Sequence, residues 1–304
     1  ATSGVSPAAA NVNQQITQTL HSKLSSANKD VNLYFSPYSI TTALAILYQG
    51  AGGSTASQLA SAIHYDIAGL SHVNLNATLF RTEAPSVKSV EPTVRIGVAV
   101  VTSKQTPLLD TFKKTLTEKY RAKTIEVDLG ASDSAKNEIN QFVANQTESK
   151  IDSLLKEPLP QSTKLALFDI AYFKGVWRHS FPKVRTTSGT FEGRNGAKYE
   201  GVQFLRTWRS LKIGVANRNA SVIEFGFWGG EGAFYALLPN NKNADLGAFW
   251  KSINLDQLHE AVNNAPSQLV DFKFPKMEFQ ASYDLVPVLK AMGINDAFDG
   301  QKAD

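Results

Sequence analysis

The chain has 304 residues, of which 42% are apolar and 19% are charged, and its formal net charge is +4 at pH 7. This composition is typical of a globular protein, and so mild a positive charge does not by itself indicate a nucleic-acid partner. Cysteine is absent, which excludes thiol catalysis, disulfides and cysteine-ligated metals, and no apolar run is long enough to span a membrane.

The first predicted elements are helices. Residues 11–27 read as an amphipathic helix because apolar side chains recur at four-residue spacing. Ser36 is a good N-cap for a second helix, and Pro37 falls at its first position, where the missing N–H costs nothing. Residues 38–51 carry no charge and are apolar nearly all round, which predicts a buried core helix. A capping-box pattern from Thr55 to Gln58 predicts a short helix that ends near Ile63.

Strands and a surface helix follow. Residues 94–101 are mostly apolar at both odd and even positions, which predicts a strand buried on both faces. A helix is predicted at 109–120 and a strand at 124–129. Residues 134–150 are amphipathic and predict a surface helix that lies on a flat layer. Residues 165–173 are the most strand-like of all and are apolar except for Asp169. A carboxylate at such a place needs a partner or a raised pKa.

The last third of the chain is dominated by strands. They are predicted at residues 189–191, 199–205, 211–216, 222–227, 233–238 and 269–279, with a glycine-rich hairpin before the fifth. Helices are predicted at 69–81, 244–253 and 255–263. A last helix is predicted over an apolar stripe from Leu285 to Met292, and Gly293 ends it. Helices and strands do not alternate regularly and no repeat occurs, so the pattern predicts an α+β fold in one large domain over residues 1–304.

No catalytic motif is visible. The sequence lacks a nucleophile elbow, a zinc-protease motif, a Walker A loop and a dinucleotide fingerprint, and its five histidines have no partner at metal-ligand spacing. We therefore expect no enzyme activity, no metal and no cofactor. A basic cluster could bind a sulfated polysaccharide or form a solvated helix face, and the nearby acids favour the second interpretation. Its members are Lys113, Lys114, Lys119, Arg121 and Lys123.

Three glycosylation sequons begin at Asn76, Asn145 and Asn219. The first residue is Ala rather than Met, and a removed signal peptide or a trimmed start would both explain it. Together these features lead us to expect an extracellular, secreted glycoprotein.

Segments spread over essentially the whole chain resemble the serpins. The motif N-x-x-F-S-P-x-S-I at 32–40 is followed by G-A-x-G-x-T-x-x-Q-L at 50–59, and residues 139–151 are similar to the family's helix F signature. Residues 171–177, with Phe181, resemble the end of the third strand of its main sheet. Residues 283–298 match the run into its last helix. Four matches in the right order make the resemblance specific.

The resemblance implies a serpin domain with three β-sheets and about nine helices. Its main sheet would cover the buried helix, and the surface helix would cross the front of that sheet. Asn32, Ser36, Ser39 and Asp169 would lie in the shutter, where strands of the main sheet part. Trp177 would lie at the breach, where a new strand first enters. Serpins usually have Asn at the position of Asp169, so this chain departs from its family there.

The resemblance also implies a function. Serpins usually act as suicide substrates of proteases, and their cleaved reactive loop inserts into the main sheet as an extra strand. A serine protease is the expected partner and a cysteine protease the second choice. The rival expectation is a non-inhibitory carrier, chaperone or storage protein. We expect a monomer with neither nucleic acid nor membrane among its partners, and weak or no polysaccharide binding, since the corresponding helix at 69–81 carries only Arg81.

The chain is expected to be incomplete at its C-terminus. It stops at Asp304, before the family's last main-sheet strand, the reactive-centre loop and the closing strands. The reactive-centre bond is therefore expected to lie outside this sequence.

Overall fold

The computed structural model describes residues 7–29, 31–64, 93–128, 133–193, 196–229 and 232–304. Its α-helices are α1 Pro7–Ala27, α2 Pro37–Gly50, α3 Gly53–Ala62, α4 Asp110–Tyr120, α5 Asp133–Gln146, α6 Leu246–Ser252, α7 Leu258–Asn263 and α8 Val286–Ala291. Its strands are β1 Thr93–Ser103, β2 Lys123–Val127, β3 Leu165–Lys174, β4 Thr187–Glu192, β5 Lys198–Ala216, β6 Ala220–Gly226, β7 Ala233–Pro239 and β8 Ser267–Pro275. The predicted helix at residues 69–81 lies outside the described residues.

The first sheet has the order β2-β1-β3, with β1 parallel to β2 and antiparallel to β3. Helices cover it on both faces. Val98 and Val100 of β1 pack with Ile46 of α2, whereas Ala99 and Val101 pack in the cluster that holds the apolar stripe of α5. This confirms the buried helix, the strand apolar on both parities and the surface helix lying on a flat layer.

A core of helices lies beneath α2. The stripe of α1 packs there, with Ile16 and Leu20 against Ile40 and Leu44 of α2, and all four side chains are buried. A helix that is apolar all round therefore has a partner on every side: α1 and α3 on one, the first sheet on the other.

The second sheet has the order β4-β5-β6-β7, and β8 pairs with β5 off that path. The two strands predicted at 199–205 and 211–216 are one strand of 19 residues, because no glycine or proline interrupts residues 206–210 and β8 pairs across them. Since β5 pairs with β4, β6 and β8, it joins these strands and β7 into one sheet. The described residues therefore form two sheets rather than the three expected, and they contain eight α-helices.

The start of α3 was predicted wrongly. The helix begins at Gly53, its cap is Gly52, and no side chain makes a capping bond there. Gln58 instead accepts hydrogen bonds from the backbone N–H groups of Asn295 and Asp296, at 2.7 and 2.9 Å. The side chain of Gln58 is engaged in this long-range contact and does not bond back to the start of the helix, as a capping box requires.

Candidate functional site

A hydrogen-bonded link joins α2 to the middle of β3. Ser36 caps α2, and its Oγ accepts the backbone N–H of Ser39 at 3.2 Å. The Ser39 side chain is 1% exposed, and its hydroxyl donates to Oδ2 of Asp169 at 2.5 Å. Two residues that are 130 positions apart in sequence are thus brought together under the sheet. Their place in a shutter stays a prediction.

Asp169 is the one acidic side chain on β3, and it faces α2. Burial raises its pKa to about 6, against the opposing effect of the hydrogen bond from Ser39. Its second oxygen, Oδ1, is buried and has no hydrogen-bond partner among the described residues. The sequence prediction of a partner or a raised pKa is confirmed on both counts.

Asn32 stands apart from this link. It lies in the extended segment before α2, and its side chain is exposed. In the part of the chain that the structure describes, no hydrogen bond joins it to Ser39 or Asp169. Its place in the shutter stays a prediction.

The outer edge of β3 is open. In the described ranges, β3 pairs with β1 along one edge, and no strand pairs with the other. Leu165 and Phe173, near its two ends, are 39% and 44% exposed. An open edge presents a row of unpaired N–H and C=O groups, which is the chemistry that accepts another strand.

The segment after β3 is fastened to the second sheet. Trp177 bridges to Phe227, Arg178 N donates to Gly226 O at 2.9 Å, and Trp228 N donates to Val176 O at 2.7 Å. The Trp177 ring lies 5.0 Å from Phe227, within the range of favourable aromatic pairs. The breach residue expected from the sequence therefore sits in a well-defined aromatic cluster. It comprises Phe173, Trp177, Phe181, Phe225, Phe227, Phe234, Phe272 and Phe274.

Sequence reasoning missed most of this aromatic cluster. Phe225 lies on β6 and Phe227 directly follows the end of that strand, while Phe272 and Phe274 lie on β8. Each pair is two residues apart, which places both of its members on one face of an extended chain. This two-residue spacing is visible in the sequence and predicts that each pair shares a face. It does not predict that the two pairs pack together with Trp177.

The comparisons with known proteins identify the family. The family model described as Serpin (serine protease inhibitor) matches residues 11–304. Leukocyte elastase inhibitor A of Rattus norvegicus is 31% identical over 292 residues, which are 92% of this chain and 75% of that protein. The chain belongs to the serpin family.

Solved serpin structures share its fold. The thermophilic serpin tengpin, in its native state, gives a TM-score of 0.86 at 21% identity, over 100% of this serpin and 76% of tengpin. The complex of thyroxine-binding globulin with thyroxine gives 0.86 at 22% identity, over 97% of this serpin and 80% of that chain. At these identities the likeness shows the fold alone.

Two sequons of this serpin lie on the described surface. Asn219 is exposed in the turn between β5 and β6, and Asn145 is exposed near the end of α5. Thr147, which completes the second sequon, is 1% exposed, and its hydroxyl donates to Val143 O at 2.9 Å. Asn76 lies outside the described residues. Glycosylation at all three stays a prediction.

Acidic side chains form ion pairs with residues of the basic cluster. Lys113 lies 2.5 Å from Glu126, and Lys123 lies 3.8 Å from Glu138. The pairing with Glu126 raises the pKa of Lys113. Such pairing favours the interpretation of a solvated, ion-paired helix face over that of a polyanion site.

The described residues hold neither a metal-binding group nor a membrane-spanning helix. No group of three His, Cys, Asp or Glu side chains there could hold a metal ion. No helix among them is long and apolar enough to cross a membrane.

Proposed function

We propose that this serpin inhibits a serine protease as a suicide substrate. The observation that carries the proposal is the family match over residues 11–304, together with a relative at 31% identity that is named an elastase inhibitor. The alternative target is a cysteine protease. We also propose that the protein works as a secreted, glycosylated monomer without catalytic activity of its own.

In this mechanism the inserted strand would pair along the edge of β3. Reactive-loop insertion in serpins is an established case of strand addition, in which main-chain hydrogen bonds form along a sheet edge. In this chain the edge strand rests on α2, where Ser39 and Ala43 are small and buried. The hydroxyl of Ser39 touches the strand through one hydrogen bond to Asp169, a small contact that can break and re-form as a strand moves.

Formation of a stable complex tests the proposal. The full-length protein is incubated with elastase, trypsin, chymotrypsin and papain, and the products are separated under denaturing conditions. A band that resists denaturation with an active protease, and is absent with a protease whose nucleophile is mutated, is the expected result. The protease that forms the band separates the serine from the cysteine alternative.

Thermal unfolding before and after the exposed loop is nicked is the second measurement. Insertion of the cut loop adds a strand to the sheet, so the melting temperature is expected to rise. If no protease forms a complex and nicking leaves the melting temperature unchanged, inhibition is rejected. A non-inhibitory role as a carrier, chaperone or storage protein would then lead.

Peptide N-glycosidase treatment of the protein from its natural source tests the extracellular assignment. A decrease in mass is expected if the sequons carry glycans, and an unchanged mass would argue against secretion through the glycosylating pathway.

A further inference from the structure

A cavity of about 470 Å³ lies where β5, β6 and α7 meet, away from the open edge of β3. Its lining combines strongly polar side chains with Leu211 and Val262. The polar members that matter here are Arg209, Ser210, Lys212, Glu224, Asn263 and Ser267.

Arg209 is the least satisfied of these groups. It is half-buried, and its guanidinium lies 5.9 Å from the Phe181 ring and 5.5 Å from the Phe225 ring. Within the described ranges, its Nε is buried without a hydrogen-bond partner, and its Nη1 makes only a long bond of 3.5 Å to His179 O. Arginine has five N–H donors, so most of the guanidinium's hydrogen-bonding capacity is unused on the protein side.

Lys212 adds a second cation to the lining. Its Nζ donates to Asn263 O at 2.7 Å, which leaves two of the three ammonium protons for other acceptors. Beside it, the hydroxyls of Ser210 and Ser267 lie 3.2 Å apart.

Glu224 is the one acidic residue of the lining, and its charge is already engaged. Its Oε2 accepts the Tyr235 hydroxyl at 2.7 Å and lies 2.8 Å from His259 Nδ1. Among the described residues, no ion pair joins it to Arg209 or Lys212. The cavity therefore has two cations whose charge no carboxylate of the described residues balances.

We propose that this cavity binds a small organic anion, whose oxyanion group takes the free donors of Arg209 with help from Lys212. A carboxylate and a phosphate ester offer the same bidentate acceptor geometry to a guanidinium. The apolar Leu211 and Val262 would contact the carbon part of the ligand. The proposal concerns the second sheet, and it holds whether or not the protein inhibits a protease.

The arginine Nε–H signal provides a direct test. In a ¹⁵N-correlation spectrum of the intact protein, the Nε–H resonance of Arg209 is followed during titration with inorganic phosphate, with succinate and with chloride at matched ionic strength. A saturable shift with phosphate or succinate, and none with chloride, is expected, and the anion that binds more tightly assigns the ligand class. No saturable shift with either anion, or the same shift with chloride, would overturn the proposal.

Two variants locate the site. Arg209→Gln is expected to weaken binding of the preferred anion by about tenfold or more, as measured by calorimetry. The matched control is Arg206→Gln, three residues away on β5, whose guanidinium is already paired with Asp271. Equal affinity in both variants would place the anion elsewhere and reject the site. Lys212→Gln removes the second cation from the same cavity and is expected to weaken binding even if Arg209→Gln does not fold.

Discussion

The middle of β3 and the segment beyond its end are held by opposite means. Under the middle of the strand, the polar contact with α2 is a single hydrogen bond, from Ser39 to Asp169. Beyond the end, Trp177 is locked among phenylalanine rings and tied to β6 by backbone hydrogen bonds. Small polar contacts can break and re-form as a strand moves, whereas interlocked rings fix the chain in one place.

The two regions should therefore differ in what a substitution does to the protein. Substitutions in the aromatic cluster are expected to cause the larger losses in the free energy of unfolding. Substitutions in the link under β3 are expected to cause smaller losses that depend on pH. Variants in each region test this difference.

The largest effect is expected at Phe225. The ring is buried within the aromatic cluster, 4.7 Å from Phe272 and 6.0 Å from Trp177. Phe225→Ala should reduce the free energy of unfolding by about 3 to 5 kcal/mol, measured by urea denaturation. The control is Trp208→Ala on β5, where the ring is 64% exposed and the loss should be small. Similar losses in both variants would mean that the aromatic cluster is not a stability anchor.

The sequence predicted one of these regions far better than the other. Ser36, Pro37 and the uncharged run after them define α2 locally, and the motif at 32–40 added the expectation that Ser39 lies under the main sheet. The aromatic cluster could not be predicted in the same way, because Trp177, Phe225 and Phe272 come from three distant segments. The prediction of where α3 starts failed because of a contact between distant parts of the chain, since Gln58 bonds to residues more than two hundred positions away.

The next largest effect is expected at Asp169. Its pKa in the folded protein is about 6, above an unfolded value near 3.8. Between these values the folded state holds more protons than the unfolded state, so stability falls as the pH rises. Asp169→Asn cannot ionise, and it should therefore be more stable than the parent by up to about 3 kcal/mol at pH 8, with the difference vanishing near pH 4.

Asp296 provides a control of opposite sign. The hydroxyl of Ser54 donates to it at 2.6 Å and lowers its pKa. Asp296→Asn should therefore lose stability above about pH 4, the unfolded pKa, and this loss should disappear as the pH falls further. Urea unfolding curves from pH 2 to pH 8 measure both variants. If Asp169→Asn follows the parent at every pH, the buried carboxylate under β3 does not control the stability of the link.

Gly175 tests how tightly the strand's end is held. A Cβ at this position would come within 2.6 Å of the Phe227 ring and 2.8 Å of the Phe173 ring. Gly175→Ala should therefore cost about 2 kcal/mol, because two packed rings must shift. The matched control is Gly226→Ala, where the nearest atom to the new Cβ is 3.7 Å away, in ordinary van der Waals contact. Equal stability of the two variants, by thermal or urea unfolding, would show that the rings yield easily.

The smallest effect is expected from Ser39→Ala, and its pH dependence matters more than its size. Loss of the hydroxyl removes the donor that stabilises the ionised form of Asp169, so the cost should be about 1 kcal/mol where the carboxyl is protonated and about 2 kcal/mol where it is charged. Ser36→Ala is the control, because it removes only the N-cap of α2 and should cost about 1 kcal/mol at every pH. Urea unfolding at pH 5 and pH 8 distinguishes the two serines. A pH-independent loss at Ser39 would mean that its bond to Asp169 fixes the helix and does not sense the charge.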